Sequence, residues 1–193
     1  IGELGEWILR EACRQIKAFH DQGLKLPMVA VNVSPRQFNP SFIQLVKDVL
    51  EETDLEPSSL KLELTEGVVM DDANASVKAL GELKQMGVSL SVDDFGTGYS
   101  SLSYLSRFPL DELKIDRSFT ADLQTSAGSR SLIRGIIGMV HALGMAVVAE
   151  GVEHEEQLDF LRQQRCDLIQ GFLTGRPMLP GAIEPQLRSC GAS

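Results

Sequence analysis

The chain has 193 residues, 43% hydrophobic and 23% charged, so it is long enough for one domain with a sizeable core and short for two. Its net charge of −9, with scattered basic residues, excludes the concentrated positive surface that a nucleic-acid groove needs. No apolar run approaches the roughly 18 residues of a membrane span, which predicts no direct membrane contact. The cysteines, Cys13, Cys166 and Cys190, have no C-x-x-C spacing, which argues against a zinc knuckle or disulfide framework and favours a reducing, cytoplasmic location.

Helical and strand-like segments alternate along the whole chain, with no linker between them. Apolar residues at helical spacing predict helices near residues 4–19, 42–50, 77–83, 102–105, 132–143 and 158–161. Short apolar runs, several of them β-branched, predict strands at 28–33, 60–64, 88–92, 110–115, 146–149 and 168–170. Strands separated by helices indicate a single α/β domain over residues 1–193 with a parallel sheet, as either an open doubly wound sheet or a barrel.

The alternation of side chains within the strands favours the barrel. Residues two apart on a strand share a face, and the predicted strands have one apolar face and one polar face. Leu60, Leu62 and Leu64 stand on one face of their strand, and Lys61 and Glu63 on the other. Doubly wound sheets are covered on both faces, so this one-sided pattern is typical of a TIM-type (β/α) barrel whose polar face lines the lumen.

Polar residues of equal parity stand at the carboxyl ends of the predicted strands, where barrel enzymes carry their catalytic groups. They are Asn32, Glu63, Asp93, Lys114, Glu150 and Gln170. Converging carboxylates need compensating cations, and oxygen ligands suit Mg²⁺ or Mn²⁺. Paired hard cations beside a lysine are typical of phosphodiester hydrolysis.

Each of these residues also has a simpler interpretation. Taken singly, Glu63 or Asp93 is typical of a capping or solvated acid, Lys114 of a solvent-facing lysine, and the overall acidity of plain solubility. The segment 93–98 could be no more than a turn, and it lacks the lysine of a phosphate-binding P-loop. Only the joint arrangement favours an active site.

At these positions the sequence resembles the EAL family, in motif order and in spacing. The motifs are Asn32-Val33-Ser34, Glu63-Leu64-Thr65-Glu66, Asp93-Asp94-Phe95-Gly96-Thr97-Gly98-Tyr99-Ser100-Ser101, Leu113-Lys114-Ile115-Asp116, Ala149-Glu150-Gly151-Val152-Glu153 and Gln170-Gly171-Phe172. The resemblance extends from residue 1 to about residue 185. It implies a barrel that cleaves cyclic di-GMP to linear pGpG with two Mg²⁺ or Mn²⁺ ions.

The resemblance implies a set of metal ligands. Asn32, Glu63 and Asp93 resemble ligands of one metal. Asp93 with Asp94 resembles the protein's share of the second.

The resemblance also implies catalytic, supporting and substrate-binding residues. Lys114 resembles the lysine that positions the hydrolytic water, Glu150 a glutamate near the second metal and that water, and Asp116 a support of the lysine. The remaining implied residues, two loop supports and two positions around a guanine, are Glu66 and Glu153, and Gln170 and Pro177.

In the family, the name motif Glu-Ala-Leu lies before the helix that opens this chain. We therefore expect an incomplete barrel of about six strands, short of a complete one by roughly 60 residues and by one metal ligand. Exposed strand edges invite pairing, so we expect a homodimer, or the segment 1–19 folded over the gap. A GGDEF or sensory domain elsewhere in the parent chain is compatible with the resemblance.

Three functions stay open on the sequence. The first is a phosphodiesterase, the second a module that binds cyclic di-GMP without cleaving it, and the third a purely structural interaction domain. The missing name motif favours the second function. The intact Lys114, Glu150 and both aspartates favour the first.

Overall fold

The structure, a computed structural model, describes residues 2–24, 26–96 and 102–190. Its centre is a six-stranded parallel sheet in which the strands follow one another in chain order. The strands are β1 Val29–Val33, β2 Leu60–Thr65, β3 Ser89–Phe95, β4 Glu112–Ile115, β5 Ala146–Ala149 and β6 Leu168–Ile169. This half-barrel with surrounding helices confirms the predicted incomplete TIM-type fold.

The helices alternate with the strands as predicted. They are α1 Gly2–Asp21, α2 Pro40–Thr53, α3 Glu66–Asp71, α4 Ala73–Gln85, α5 Leu102–Leu105, α6 Arg117–Ala121, α7 Ala127–Ala142, α8 Glu155–Gln163 and α9 Pro180–Cys190, with a 3-10 turn at Pro57–Ser59. Apolar spacing did not predict α3, α6 and α9; the first two are short and begin within or directly after polar motifs, where no apolar stripe marks them. Within the described ranges, no helix has both the length and the apolarity needed to cross a bilayer.

The outer face of the sheet builds the hydrophobic core. Leu60, Leu62 and Leu64 of β2 are fully buried beneath the helices, as the alternation predicts. α7 contributes a matching stripe, whose buried residues Ile133, Ile136, Ile137 and Val140 recur at helical spacing. The polar face is left to line the lumen.

Aspartates in loops join the amino ends of the strands to the preceding helices. Asp111, just before β4, accepts a hydrogen bond of 2.8 Å from the backbone N–H of Leu90 in β3. Its carboxylate also binds Lys84, near the end of α4, at 2.8 Å. One side chain thus holds a loop, a strand and a helix end together.

The same arrangement recurs further along the chain. Asp167, just before β6, accepts a hydrogen bond of 2.8 Å from the backbone N–H of Val147 in β5. Its partner from the helix is His141 near the end of α7, whose Nε2 lies 2.8 Å from the carboxylate. The partner from the helix is therefore a histidine in this contact and a lysine in the first.

The two outer strands each pair on one side only among the described residues, β1 with β2 and β6 with β5. α1, the segment expected to cover an open edge, packs against β1 and α2. Leu168 in β6 is half exposed. A homodimer across these edges stays a prediction.

Candidate functional site

Lys114, on the lumen face of β4, is the residue at which side chains from the ends of several strands meet. Its Nζ lies 2.6 Å from Glu150 Oε1, 2.9 Å from Glu63 Oε2 and 3.2 Å from Asp93 Oδ2. The lysine side chain is only 4% exposed, so its N–H donors depend on these carboxylates rather than on solvent. Four of the residues predicted at strand ends therefore meet at one point.

The charge of Lys114 is secured by its neighbours. Burial by itself lowers the pKa of Lys114, because it disfavours the charged form. The hydrogen bonds to Glu150 and Glu63 outweigh burial and hold the pKa above its usual value. Lys114 is therefore a cation throughout the physiological range, and it acts as a hydrogen-bond donor rather than as a base.

A bulge in β3 brings a second aspartate to the site. Between Val92 and Phe95, β3 carries one residue more than the facing stretch of β4. The extra residue is accommodated where Asp94 takes a φ of 56°, in the left-handed region. Strict alternation would place Asp94 on the face opposite to Asp93, and the bulge removes that alternation.

Three carboxylates form a group of oxygen donors. Oxygens of Asp93, Asp94 and Glu150 lie within 4.8 Å of one another. Burial, and then the charges of Asp93 and Asp116, raise the pKa of Asp94 above its usual value. The pKa of Glu150 is also raised, mainly by burial, although Lys114 opposes the shift.

This donor set fits a hard divalent cation. Burial and, to a smaller extent, mutual repulsion disfavour the charged carboxylates, and a bound cation would offset both effects. An all-oxygen set suits Mg²⁺ or Mn²⁺ better than zinc. The group includes Glu150, which the sequence suggested as a catalytic residue. Glu63 lies outside this group and forms an ion pair with Lys114, and its expected role as a metal ligand stays a prediction.

Two buried polar residues, which the sequence did not predict, hold Glu150 in place. Thr120 of α6 donates its hydroxyl to the backbone carbonyl of Glu150. Gln157 of α8 donates to the carbonyl of Thr120 at 2.9 Å, and its side-chain oxygen accepts the N–H of Glu153 at 2.7 Å and of His154 at 2.9 Å. Gln157 occupies a capping-box position three residues after His154, which is a signal that the sequence carries; Thr120 has none.

A glycine allows the close approach of α6 to this loop. Gly151 has a φ of 66°, and a Cβ there would lie 2.6 Å from the Cβ of Arg117. Real Cβ atoms do not approach so closely, so a side chain would push α6 and the loop apart. The motif glycine after Glu150 is therefore required by packing.

Glu66 is buried at the other side of the mouth. Its Oε2 accepts the N–H of Gly96 at 3.3 Å, just after the paired aspartates. The rest of that motif, residues 97–101, lies outside the described residues, so support of the loop by Glu66 stays a prediction.

Asp116, expected to support Lys114, caps the helix that follows β4. Its carboxylate accepts the N–H of Ser118 at 2.9 Å and caps α6. The bonds from Ser118 lower the pKa of Asp116. The strand ends at Ile115, one residue before Asp116, and support of the lysine by Asp116 stays a prediction.

The other predicted residues lie at the periphery. Asn32 is in register with Glu63 on the neighbouring strand, and its side chain is exposed. Gln170 and Pro177 are also exposed, after the end of β6. Their expected roles as metal ligand and guanine contacts stay predictions, as does loop support by the exposed Glu153.

The family model described as EAL domain matches residues 1–177. The chain belongs to the EAL domain family. This EAL chain is 46% identical over 183 residues to the signaling protein YkoW of Bacillus subtilis, which is 94% of the chain and 23% of YkoW. It is 44% identical over 190 residues to the cyclic di-GMP phosphodiesterase NbdA of Pseudomonas aeruginosa, which is 98% of the chain and 24% of NbdA. The EAL chain thus spans about a quarter of the length of these relatives.

Solved EAL structures have the same fold. The PaMucR phosphodiesterase, in complex with c-di-GMP, superposes with a TM-score of 0.91 at 44% identity, covering 94% of this chain and 74% of that one. Klebsiella pneumoniae BlrP1, in a manganese and cy-diGMP complex, superposes with a TM-score of 0.78 at 32% identity, covering 91% of this chain and 45% of that one.

Proposed function

We propose that this EAL domain hydrolyses cyclic di-GMP to linear pGpG as a metal-dependent phosphodiesterase. The observation that carries the proposal is the ion-paired group of Lys114 with Glu63, Asp93 and Glu150 at the mouth of the half-barrel. The activity named for NbdA and the c-di-GMP bound to PaMucR support it. Because these relatives are far longer, the substrate and a GGDEF or sensory domain in the parent chain are part of the proposal.

The cations would be two Mg²⁺ or Mn²⁺ ions. Asp93, Asp94 and Glu150 would hold one of them, since their oxygens already converge. Glu63 and Asn32, adjacent on β2 and β1, would add oxygen donors for the other. When bound, the cations would attract the phosphodiester and offset the negative charge that develops in its cleavage.

Lys114 would orient the attacking water. Its ammonium group is a buried cation in a fixed place, so a hydrogen bond from it selects one direction of approach and stabilises negative charge on the phosphoryl oxygens. Glu150, 2.6 Å away, would hold Lys114 beside the cation that it helps to bind. Asp116 would act only indirectly, by capping α6.

The guanine of the substrate would be held at the exposed end of the site. Gln170 offers amide donors and acceptors there, and Pro177 offers an apolar surface. Arg176, whose guanidinium lies 4.3 Å from the ring centre of Phe172, places a positive charge in the same segment. A dinucleotide with two phosphates fits that combination.

Binding without hydrolysis is the second candidate function. One observation favours it: three carboxylates match the three N–H donors of Lys114, so none is free for a water molecule. In that case the site would recognise cyclic di-GMP and pass the signal to another domain.

The two functions are separated by one experiment. The protein is incubated with cyclic di-GMP and Mn²⁺, the products are resolved by chromatography, and binding is measured by calorimetry. Release of pGpG supports the phosphodiesterase. Binding with no pGpG at any Mn²⁺ concentration supports the binding module, and neither binding nor hydrolysis contradicts both.

A further inference from the structure

Two ion pairs span from β2 to β4 inside the half-barrel, one below the other. The lower pair joins Lys61 Nζ of β2 to Glu112 Oε2 of β4 at 2.6 Å. The upper pair joins Lys114 of β4 to Glu63 of β2 at 2.9 Å. The order of charges is thus reversed between the two strands, so that each lysine faces an acid.

The strand between β2 and β4 leaves room for both ion pairs. Ser91 of β3 is in register with Glu63 on one side and with Glu112 on the other. It is fully buried, and its side chain is short. The longer side chains of β2 and β4 can therefore meet over β3.

The two charges of the lower pair are neutralised by each other, because solvent hardly reaches them. The side chains of Lys61 and Glu112 are 12% and 5% exposed. Removal of one partner from such a pair leaves an uncompensated buried charge, which seeks another partner. Glu112 stands two residues before Lys114 on the same face of β4, about 7 Å along the strand and within the range of a lysine side chain.

We propose that Lys61 and Glu112 are positioning residues for Lys114, a role that rests on the proposed function. Lys61 satisfies Glu112, so Lys114 extends toward the carboxylates at the mouth instead of toward the floor. Glu112 in turn keeps Lys61 away from Glu63, so that Glu63 remains the partner of Lys114. Within the lower pair, each residue thus prevents the other from competing for a partner in the upper pair, so that Lys114 keeps the direction in which it would orient the water.

The test uses the 193-residue protein with Lys61→Met, with Glu112→Gln and with both substitutions. Each single substitution leaves one buried charge free to compete in the upper pair. The double substitution removes both charges, which buried pairs tolerate better than the loss of one partner. Lys84→Met is the matched control, because it removes a lysine from an ion pair outside the lumen, with Asp111 at 2.8 Å.

Two measurements are compared across these variants. The first is nitrogen NMR of the lysine ammonium groups in metal-free protein, in which the Lys114 signal reports the partners of Nζ. The second is the pair of constants kcat and KM for hydrolysis of cyclic di-GMP with Mn²⁺. A residue that only stabilises the fold would alter neither the Lys114 signal nor kcat of the folded protein.

We expect each single variant to shift the Lys114 signal and to lower kcat about tenfold, with KM changed less than about twofold. We expect the double variant and Lys84→Met to keep the wild-type signal, and kcat within about threefold. An unchanged Lys114 signal in Lys61→Met, or a double variant as impaired as the single ones, would overturn the proposal.

Two further results stay decisive. Should Lys61→Met fail to fold, the comparison of Glu112→Gln with the double variant decides in the same way. A wild-type protein without hydrolysis would contradict the proposed function alone, because the NMR signals still show whether Lys61 and Glu112 direct Lys114.

Discussion

Asp94 follows Asp93 directly in the chain, and the carboxylate oxygens of the two residues nevertheless lie within 4.8 Å of each other. The left-handed conformation of Asp94 makes this possible, at a cost of about 1 kcal/mol for a residue with a side chain. Aspartate is among the residues that tolerate this conformation best. The strained conformation of Asp94 is therefore what brings the two carboxylates side by side.

The first prediction concerns the cation site that these charges form. Asp93→Asn removes one charge from the donor group, so we expect it to lose most of the thermal stabilisation by Mn²⁺. A cation at about 100 times its dissociation constant stabilises by about 2.7 kcal/mol, which is readily measured as a shift in Tm. Asp159→Asn, on the exposed face of α8, is the control and should respond like wild type. Equal stabilisation of Asp93→Asn and wild type would show that the acids hold no metal.

The second prediction concerns the glycine after Glu150. Gly151→Ala adds a Cβ 2.6 Å from that of Arg117 to a residue with positive φ, so we expect the free energy of unfolding to fall by about 2–4 kcal/mol. Gly144→Ala is the matched control, because Gly144 has a φ of 78° and nothing within 4 Å of the added Cβ. It should cost only about 1 kcal/mol in urea unfolding. Equal destabilisation by Gly151→Ala and Gly144→Ala would show that the contact with α6 can accommodate a side chain at residue 151.

Much of this architecture could be read from the sequence, because strand parity is a local property. The lumen positions of Glu63, Asp93 and Lys114 follow from alternation alone. The bulge at Asp94 could not be derived in that way, because it depends on the register between two strands. The resemblance to the family paired the two aspartates without giving a structural reason.

Other features of the site depend on contacts between distant segments. Thr120 and Gln157 support Glu150 only because α6 and α8 come together beside the residue that follows β5, and nothing local marks a threonine for that role. The pairing of Lys61 with Glu112 spans three strands, and parity predicts only that both face the lumen. The motif suggested that Asp116 supports Lys114, and the structure adds that Asp116 also caps α6.

The third prediction concerns Asp167, which joins α7 and β5. Burial alone raises the pKa of Asp167, but the hydrogen bonds from His141 and from the Val147 N–H outweigh it and lower the pKa. A lowered carboxyl pKa adds stability above the unfolded value of about 3.9, and this stability is lost as the pH falls through the folded value. Since Asp167 is 43% exposed, solvent screening limits the effect to about 1 kcal/mol or less.

Asp167→Asn should therefore be less stable than wild type at neutral pH, with a difference that shrinks as the pH falls below the unfolded carboxyl pKa of about 3.9. Urea unfolding at several pH values gives the difference directly. Asp111→Asn, which breaks the equivalent contact to Lys84, provides the comparison at each pH. A difference for Asp167→Asn that is constant down to the lowest pH would contradict the role of its charge.

The fourth prediction concerns the outer strands. Their outer edges, which have no partner strand within the described ranges, should be shielded by a second chain, so light scattering is expected to give a dimer at micromolar concentrations. Hydrogen exchange should then be slow for the backbone of β1 and β6. A monomer with fast exchange in both strands would leave the edges unshielded and contradict the expectation.

The fifth prediction concerns Lys114 and tests the central claim most directly. The measurement is the release of pGpG from cyclic di-GMP at saturating Mn²⁺, compared between wild type and Lys114→Met. Substitution of the lysine removes the donor that would orient the water, so we expect kcat to fall by about 100-fold or more. Circular dichroism and the shift in Tm with Mn²⁺ serve as controls that the variant is folded and holds its cations. Wild-type hydrolysis that is lost in folded Lys114→Met is the predicted result, and undiminished hydrolysis in Lys114→Met would contradict it.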